Sequence, residues 1–207
     1  AWVASAGGAL NANAANAEDL TAVVAGTYTC TITDANGCQL VHAKTLTQPA
    51  AALSATSVVT NVTCNGLATG AINITAANGT AGYTYAWAVS NGGNLNANAA
   101  NTEDLTAVVA GTYTCTITDA NGCQLVHAKT LTQPAAALSA TSAVTNVSCN
   151  GGSDGSATVS VSGGTSPFSY SWVNSSTPGT VVSIGSSTSS ILSAGTYTCT
   201  VTDDNSC

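Results

Sequence analysis

The chain repeats itself, and the length of the repeat unit constrains its fold more than any single motif does. Trp2, Trp87 and Trp172 stand 85 residues apart, and the segment GTYTC begins at Gly26, Gly111 and Gly195. Residues 10–57 match residues 95–142 at every position except Ala17 against Thr102. The third copy diverges between Gly151 and Ala194 and then returns to the same ending, AGTYTCTVTDDNSC against AGTYTCTITDANGC. Such a period is too long for ankyrin, leucine-rich or propeller-blade repeats and suits one small β-sandwich per copy. The boundaries fall at the QPAA segments, because Pro49 and Pro134 cannot donate to a sheet ladder. The resulting frame is a partial repeat over 1–50 without its opening strands, a complete repeat over 51–135, and a repeat over 136–207 without its last strand. This phase suggests a window of a longer tandem array, or a protomer whose missing strand comes from a neighbour.

Within the middle copy, alternating apolar and polar residues predict strands near Leu53–Val62, Ala71–Ala76, Tyr83–Ser90, Leu105–Val109, Thr112–Asp119 and Gln124–Thr132. The Asn/Ala-rich stretch from Asn91 to Thr102 reads as a loop or a weak strand. The fold class is therefore all-β: tandem immunoglobulin-like sandwiches in a linear array, with the outer domains truncated.

Composition narrows the partners. Ala, Thr, Ser, Gly and Asn supply 131 of 207 residues, which favours strands and turns over long helices. Nine acids stand against two lysines and no arginine, so there is no basic surface to track phosphates, and nucleic acid is excluded as a partner. With 44% hydrophobic residues the chain has enough apolar surface to fold. No apolar run approaches the roughly 20 residues of a membrane span. Eight cysteines in an acidic, Lys-poor chain without a CxxC pair fit an oxidising, extracellular setting better than a zinc site.

Each repeat carries the same few informative residues. Tyr83, Tyr85 and Trp87 alternate on one strand face, and Trp87 and its equivalent Trp172 are expected in the core. Tyr113 and Tyr197, two residues before a Cys on the penultimate strand, match the tyrosine corner of immunoglobulin-like sandwiches. The second strand offers no cysteine partner, so Cys30, Cys115 and Cys199 are expected as small buried hydrophobes. DANGC, at Asp34–Cys38 and Asp119–Cys123, is a hairpin signal whose Asn-Gly suits a type I′ turn.

The remaining cysteines lie in turns: Cys38 and Cys123 after the hairpin, Cys64 and Cys149 in TCNG and SCNG, and Cys207 at the close of the third copy. A strand of nine residues spans about 30 Å while a disulfide needs Cα atoms within about 7 Å. This topology places Cys64 near Cys207 of the following repeat, and Cys149 near a hairpin cysteine of a further one. Such bonds would clamp neighbours end to end and make these five residues assembly residues. The alternative, Cys64 with Cys123 inside one repeat, stays open if the first strand crosses over differently.

Asp34, Asp119, Glu103 and Asp104 are the weak calcium candidates, since the chain lacks a dense D-x-D-x-D pattern. No other cofactor is implied. His42, His127, Lys44 and Lys129 sit at equivalent strand positions and read as a solvated face. No Ser-His-Asp set, carboxylate pair or phosphate loop is present, so no enzyme is expected.

TNVSCNGGSDGSATVSVSGGTSPFSYSW followed by LSAGTYTCTVTDDNSC resembles the SprB-type repeat of long surface adhesins of gliding Bacteroidota, and is similar more loosely to PKD-like sandwiches. It departs from that pattern in the Cys of GTYTC and in the Asn/Ala-rich stretch near Asn94–Asn101. The resemblance implies a secreted or cell-anchored protein for attachment or surface movement, and supplies no catalytic residues. The expectation is a structural subunit of an extracellular filament or adhesin stalk that self-associates or continues a longer array. The rival readings are a calcium- or carbohydrate-binding module array contacting surface glycans, and ice binding through the outward Thr rows.

Overall fold

Strands dominate because small and β-branched residues alternate over short runs that Gly, Asn, Asp and Pro interrupt. In the computed structural model, residues 1–11, 14–95, 100–176 and 181–207 are described. The chain divides into two compact units, Ala1–Ala52 and Leu53–Cys207.

The first unit holds β1 (Trp2–Ser5), a short 3-10 turn at Ala14–Asn16, β2 (Gly26–Thr33) and β3 (Gln39–Leu46). They form one antiparallel sheet in the order β1-β2-β3.

The second unit opens with β4 (Ser54–Thr60), β5 (Gly70–Ala77), β6 (Thr84–Ser90), β7 (Leu105–Val108), β8 (Gly111–Thr118) and β9 (Gln124–Leu131). These make two antiparallel sheets, β4-β5-β7 and β6-β8-β9, that face each other as a sandwich. Alternate residues of β8 are fully buried, and Ile72, Ile74 and Leu105 of one sheet meet Trp87, Tyr113, Cys115 and Ile117 of the other. Trp87 sits opposite Cys115 in the β6–β8 register. The place of an inter-sheet disulfide is thus taken by apolar packing, since β5 brings isoleucines there. β9 closes the edge, burying Leu131, and His127 Nε2 lies 3.0 Å from Ser57 Oγ on β4.

The same unit continues with β10 (Ser139–Thr145), β11 (Gly155–Ser162), β12 (Ser169–Asn174), β13 (Val181–Ile184), β14 (Thr188–Leu192) and β15 (Tyr197–Thr202). The sheets are β10-β11-β14 and β13-β12-β15, with a smaller core of Ala157, Val159, Trp172 and Leu192. β15 is an edge strand, and a groove of about 410 Å³ between it and β10 is lined by Val144, Val159, Trp172, Tyr197 and Cys199. In the middle repeat β9 fills the corresponding position.

The fold is all-β, with five three-stranded antiparallel sheets among the described residues, in keeping with tandem sandwiches. Part of the Asn91–Thr102 stretch, residues 96–99, lies outside the described residues. Asn91–Leu95 and Ala100–Thr102 contain no strand.

Candidate functional site

Every repeat ends β2, β8 or β15 in an Asp-x-Asn-x-Cys loop, and the Asp side chain builds it. Asp119 Oδ1 accepts from the backbone N–H of Asn121 at 2.9 Å and of Cys123 at 2.8 Å, while Oδ2 accepts from Thr80 N–H at 2.9 Å. Asp203 does the same with Asn205, Cys207 and Thr165, and Asp34 with Asn36 and Cys38. The Thr80 bond chiefly, with those from Cys123 and Asn121, holds the Asp119 carboxyl below its usual range against the opposing effect of burial. Asp203 is lowered chiefly by the N–H of Cys207.

The expected type I′ geometry is not formed. It requires positive φ at both Asn and Gly, yet only Gly37 (+86°) and Gly122 (+82°) are left-handed. The Asp carboxylate, by gathering two N–H groups of its own loop, stabilises a different turn with left-handed backbone at one residue. In the third repeat Ser206 occupies that position with φ +65°.

The loop after each opening strand is the second half of the site. Cys64 O accepts from Leu67 N–H at 3.1 Å, and Thr63 is tied to Thr69 through its N–H and hydroxyl. The equivalent loop has Cys149 O accepting from Gly152 N–H at 3.0 Å, with Ser148 N–H bonded to Asp154 Oδ1 at 3.0 Å. The Ser148 hydroxyl also donates to Asp154, and this bond above all lowers the Asp154 carboxyl.

Loop and hairpin meet inside the second unit. Cys64 and Cys207 form a disulfide with Cα atoms 5.8 Å apart, while Cys123 is an exposed free thiol. Beside it Asn205 Nδ2 donates to Thr63 O at 3.0 Å and also to Thr165 Oγ1 at 3.0 Å. On the connecting segment, Asn65 Nδ2 donates to Pro134 O at 2.7 Å and Gly66 N–H donates to Gln133 Oε1 at 2.8 Å. One covalent bond and the Asn205–Thr63 hydrogen bond therefore join the middle repeat to the third, while two more hydrogen bonds fix the end of the middle repeat to the Cys64 loop. Sequence reasoning did not single out Asn65, Thr63, Gln133 or Asn205. Their recurrence in TCNG, SCNG, TQPA and the Asp-x-Asn-x-Cys hairpins was the available signal.

The other candidates are dispersed. The corner tyrosines bond back four residues: Tyr113 to Val109 O at 2.8 Å, Tyr28 to Val24 O at 2.6 Å, and Tyr197 to Ser193 O at 3.0 Å. Trp87 and Trp172 are buried and donate to Thr102 O and Ser186 O. Cys115 is fully buried, and that burial pushes its thiol up to about 11. Cys30, Cys199 and Tyr197 were expected in the core and are only half-buried. The reason is packing: β2 has no facing sheet among the described residues of its unit, and β15 has no strand on its outer edge. Glu103 Oε1 accepts from Tyr85 at 2.8 Å, and that phenol is raised by burial first and by Glu103 second. Asp104 Oδ1 accepts from Ile74 N–H at 2.8 Å. No group of three or more His, Cys, Asp or Glu positioned for a metal occurs among the described residues. No helix among them is long and apolar enough to cross a membrane.

Residues 56–94 and 141–177 match the SprB repeat. These are SprB-type repeats. Each match runs from the opening strand to just past the Trp strand, so it contains the loop cysteines Cys64 and Cys149 but not the hairpins. Comparison with curated proteins finds no match. The SprB repeat is a structural repeat, consistent with a cell-surface, adhesin- or gliding-related protein.

Proposed function

We propose that this chain is a segment of an extracellular adhesin stalk or filament that serves attachment or surface movement. The observation that carries the reading is the clamp between the middle and third repeats. A stalk must transmit tension without its domains unfolding or swinging freely. The Cys64–Cys207 bond and the Asn205–Thr63 contact tie two sandwiches at a point remote in sequence from their connecting segment. A covalent path across 143 residues carries load past both hydrophobic cores. The near-identity of residues 10–57 and 95–142 supports the same reading, because a spacer is built by copying whereas a catalytic site needs one arrangement. A disulfide serving as a permanent strut also suits an oxidising location outside the cell.

The test is immunogold labelling of intact source cells with antibody against this chain, paired with an attachment and surface-movement assay on cells lacking it. Label projecting from the surface and loss of attachment or movement support the reading. Label confined to the cell interior contradicts it.

A further inference from the structure

We infer that the Ser148–Gly152 loop is a covalent docking site for the Asp-x-Asn-x-Cys hairpin of a second copy of this chain, joined through Cys149 to Cys38 or Cys123. The chain contains one occupied example of this junction, and the unbonded halves repeat its geometry. In the occupied loop the cysteine carbonyl accepts from the N–H three residues on, Gly66 follows with φ +81°, and a hydroxyl residue before the cysteine is pinned from six residues away. The Ser148–Gly152 loop has the same three features, with Gly151 at +77° and Asp154 pinning Ser148.

The hairpins agree as closely. The disulfide-bonded Cys207 donates its N–H to Asp203 Oδ1 at 2.9 Å, and at Cys38 and Cys123 the corresponding bonds to Asp34 and Asp119 are both 2.8 Å. The amide that reaches across to Thr63 O in the occupied junction is that of Asn205, and Asn36 and Asn121 stand at its position. The acceptor waiting at the other half is Ser148 O, the equivalent of Thr63 O. Cys38, Cys123 and Cys149 are all exposed, whereas Cys115 lies beyond reach in the core.

Loop and hairpin are different surfaces, so the contact is heterologous and produces head-to-tail growth rather than a closed pair. A thiolate of one half attacks a low-molecular-weight disulfide such as oxidised glutathione, forming a mixed disulfide and releasing one glutathione thiol. The thiolate of the other half then attacks the mixed disulfide and releases the second. Two protein thiols are oxidised, one glutathione disulfide is reduced to two thiols, and the two protons given up by the protein thiols end on those glutathione thiols.

The experiment uses the full chain with Cys64–Cys207 intact, incubated in oxidised and reduced glutathione, then alkylated and resolved without reductant. The inference predicts a ladder of multimers whose cross-linked peptides join Cys149 to Cys38 or Cys123. The ladder is lost in Cys149→Ser and in the double variant Cys38→Ser/Cys123→Ser. Mixing those two variants, each unable to extend alone, restores heterodimers, which shows that both remain folded. Monomer only, a ladder that persists in Cys149→Ser, or bonds dominated by Cys149–Cys149 or Cys38–Cys123 would overturn it. The inference goes beyond the stalk reading, and its failure would leave the Cys64–Cys207 clamp and the cell-labelling result untouched.

Discussion

At the scale of single residues, two environments set two different behaviours for cysteine. Cys115 is sealed between Trp87 and the isoleucines of β5, and its thiol is pushed up to about 11, so it stays protonated and shielded at neutral pH. Iodoacetamide applied to the native chain should label Cys38, Cys123 and Cys149 and leave Cys115 unmodified, as read by peptide mass spectrometry. The Asp residues of the hairpins give a pH dependence with a definite sign. Asp119 and Asp203 are held below their ordinary value of 3.8 in the folded chain, so the unfolded chain binds protons more readily. Their contribution is complete above that ordinary value and is lost as pH falls through the depressed folded values. Thermal melts of the chain should therefore show stability falling in that acid window, and Asp119→Asn should flatten the fall. Ser206 takes a left-handed backbone that its equivalents leave to glycine, so Ser206→Gly should stabilise the third hairpin by about 1 kcal/mol.

At the scale of elements, identical sequence in different surroundings separates local preference from packing. LTAV forms β7 in the middle repeat, where β5 offers a ladder, while the same four residues at 20–23 form no strand. Ile117 of β8 is fully buried, whereas its counterpart Ile32 in β2 is 57% exposed. Ile117→Ala should cost about 2–5 kcal/mol and Ile32→Ala less than about 1 kcal/mol, measured by denaturant unfolding. Equal losses would mean that the β1-β2-β3 sheet is covered in solution. These pairs also show what could be read beforehand. Six strands of the middle repeat and the tyrosine corner were legible because Tyr, Trp and Ile alternate with Thr at period two. The turn type was not, since Asn-Gly chemistry was outcompeted by the Asp119 carboxylate, an interaction invisible to dipeptide preference. The sequence placed no strands in the third copy, whose diverged stretch contains β13. The half-exposure of Cys30, Cys199 and Tyr197 depends on which strands face or flank β2 and β15, information that no window around those residues contains.

At the scale of the molecule, the middle and third repeats share one compact unit because the segment between them is held at two places. Gln133 and Pro134 are bonded to the loop at Asn65–Gly66, and the disulfide from the adjacent Cys64 closes a chain separation of 143 residues. Closing so long a loop restricts the unfolded chain, with an upper entropic gain of about 5 kcal/mol. Reduction should lower the melting temperature of the chain, and Cys64→Ser should lower it by a similar amount without reductant. The polar contacts should persist in that variant and hold the repeats together in the folded state.

The most direct measurement is the extension of single molecules pulled from their two ends, before and after reduction. A Cys64–Cys207 bond removes the intervening residues from the extensible length, so the reduced chain should unfold to a contour longer by about 500 Å at ~3.5 Å per residue. Equal contour lengths in the two states would contradict the clamp and, with it, the reading of this chain as a covalently braced stalk.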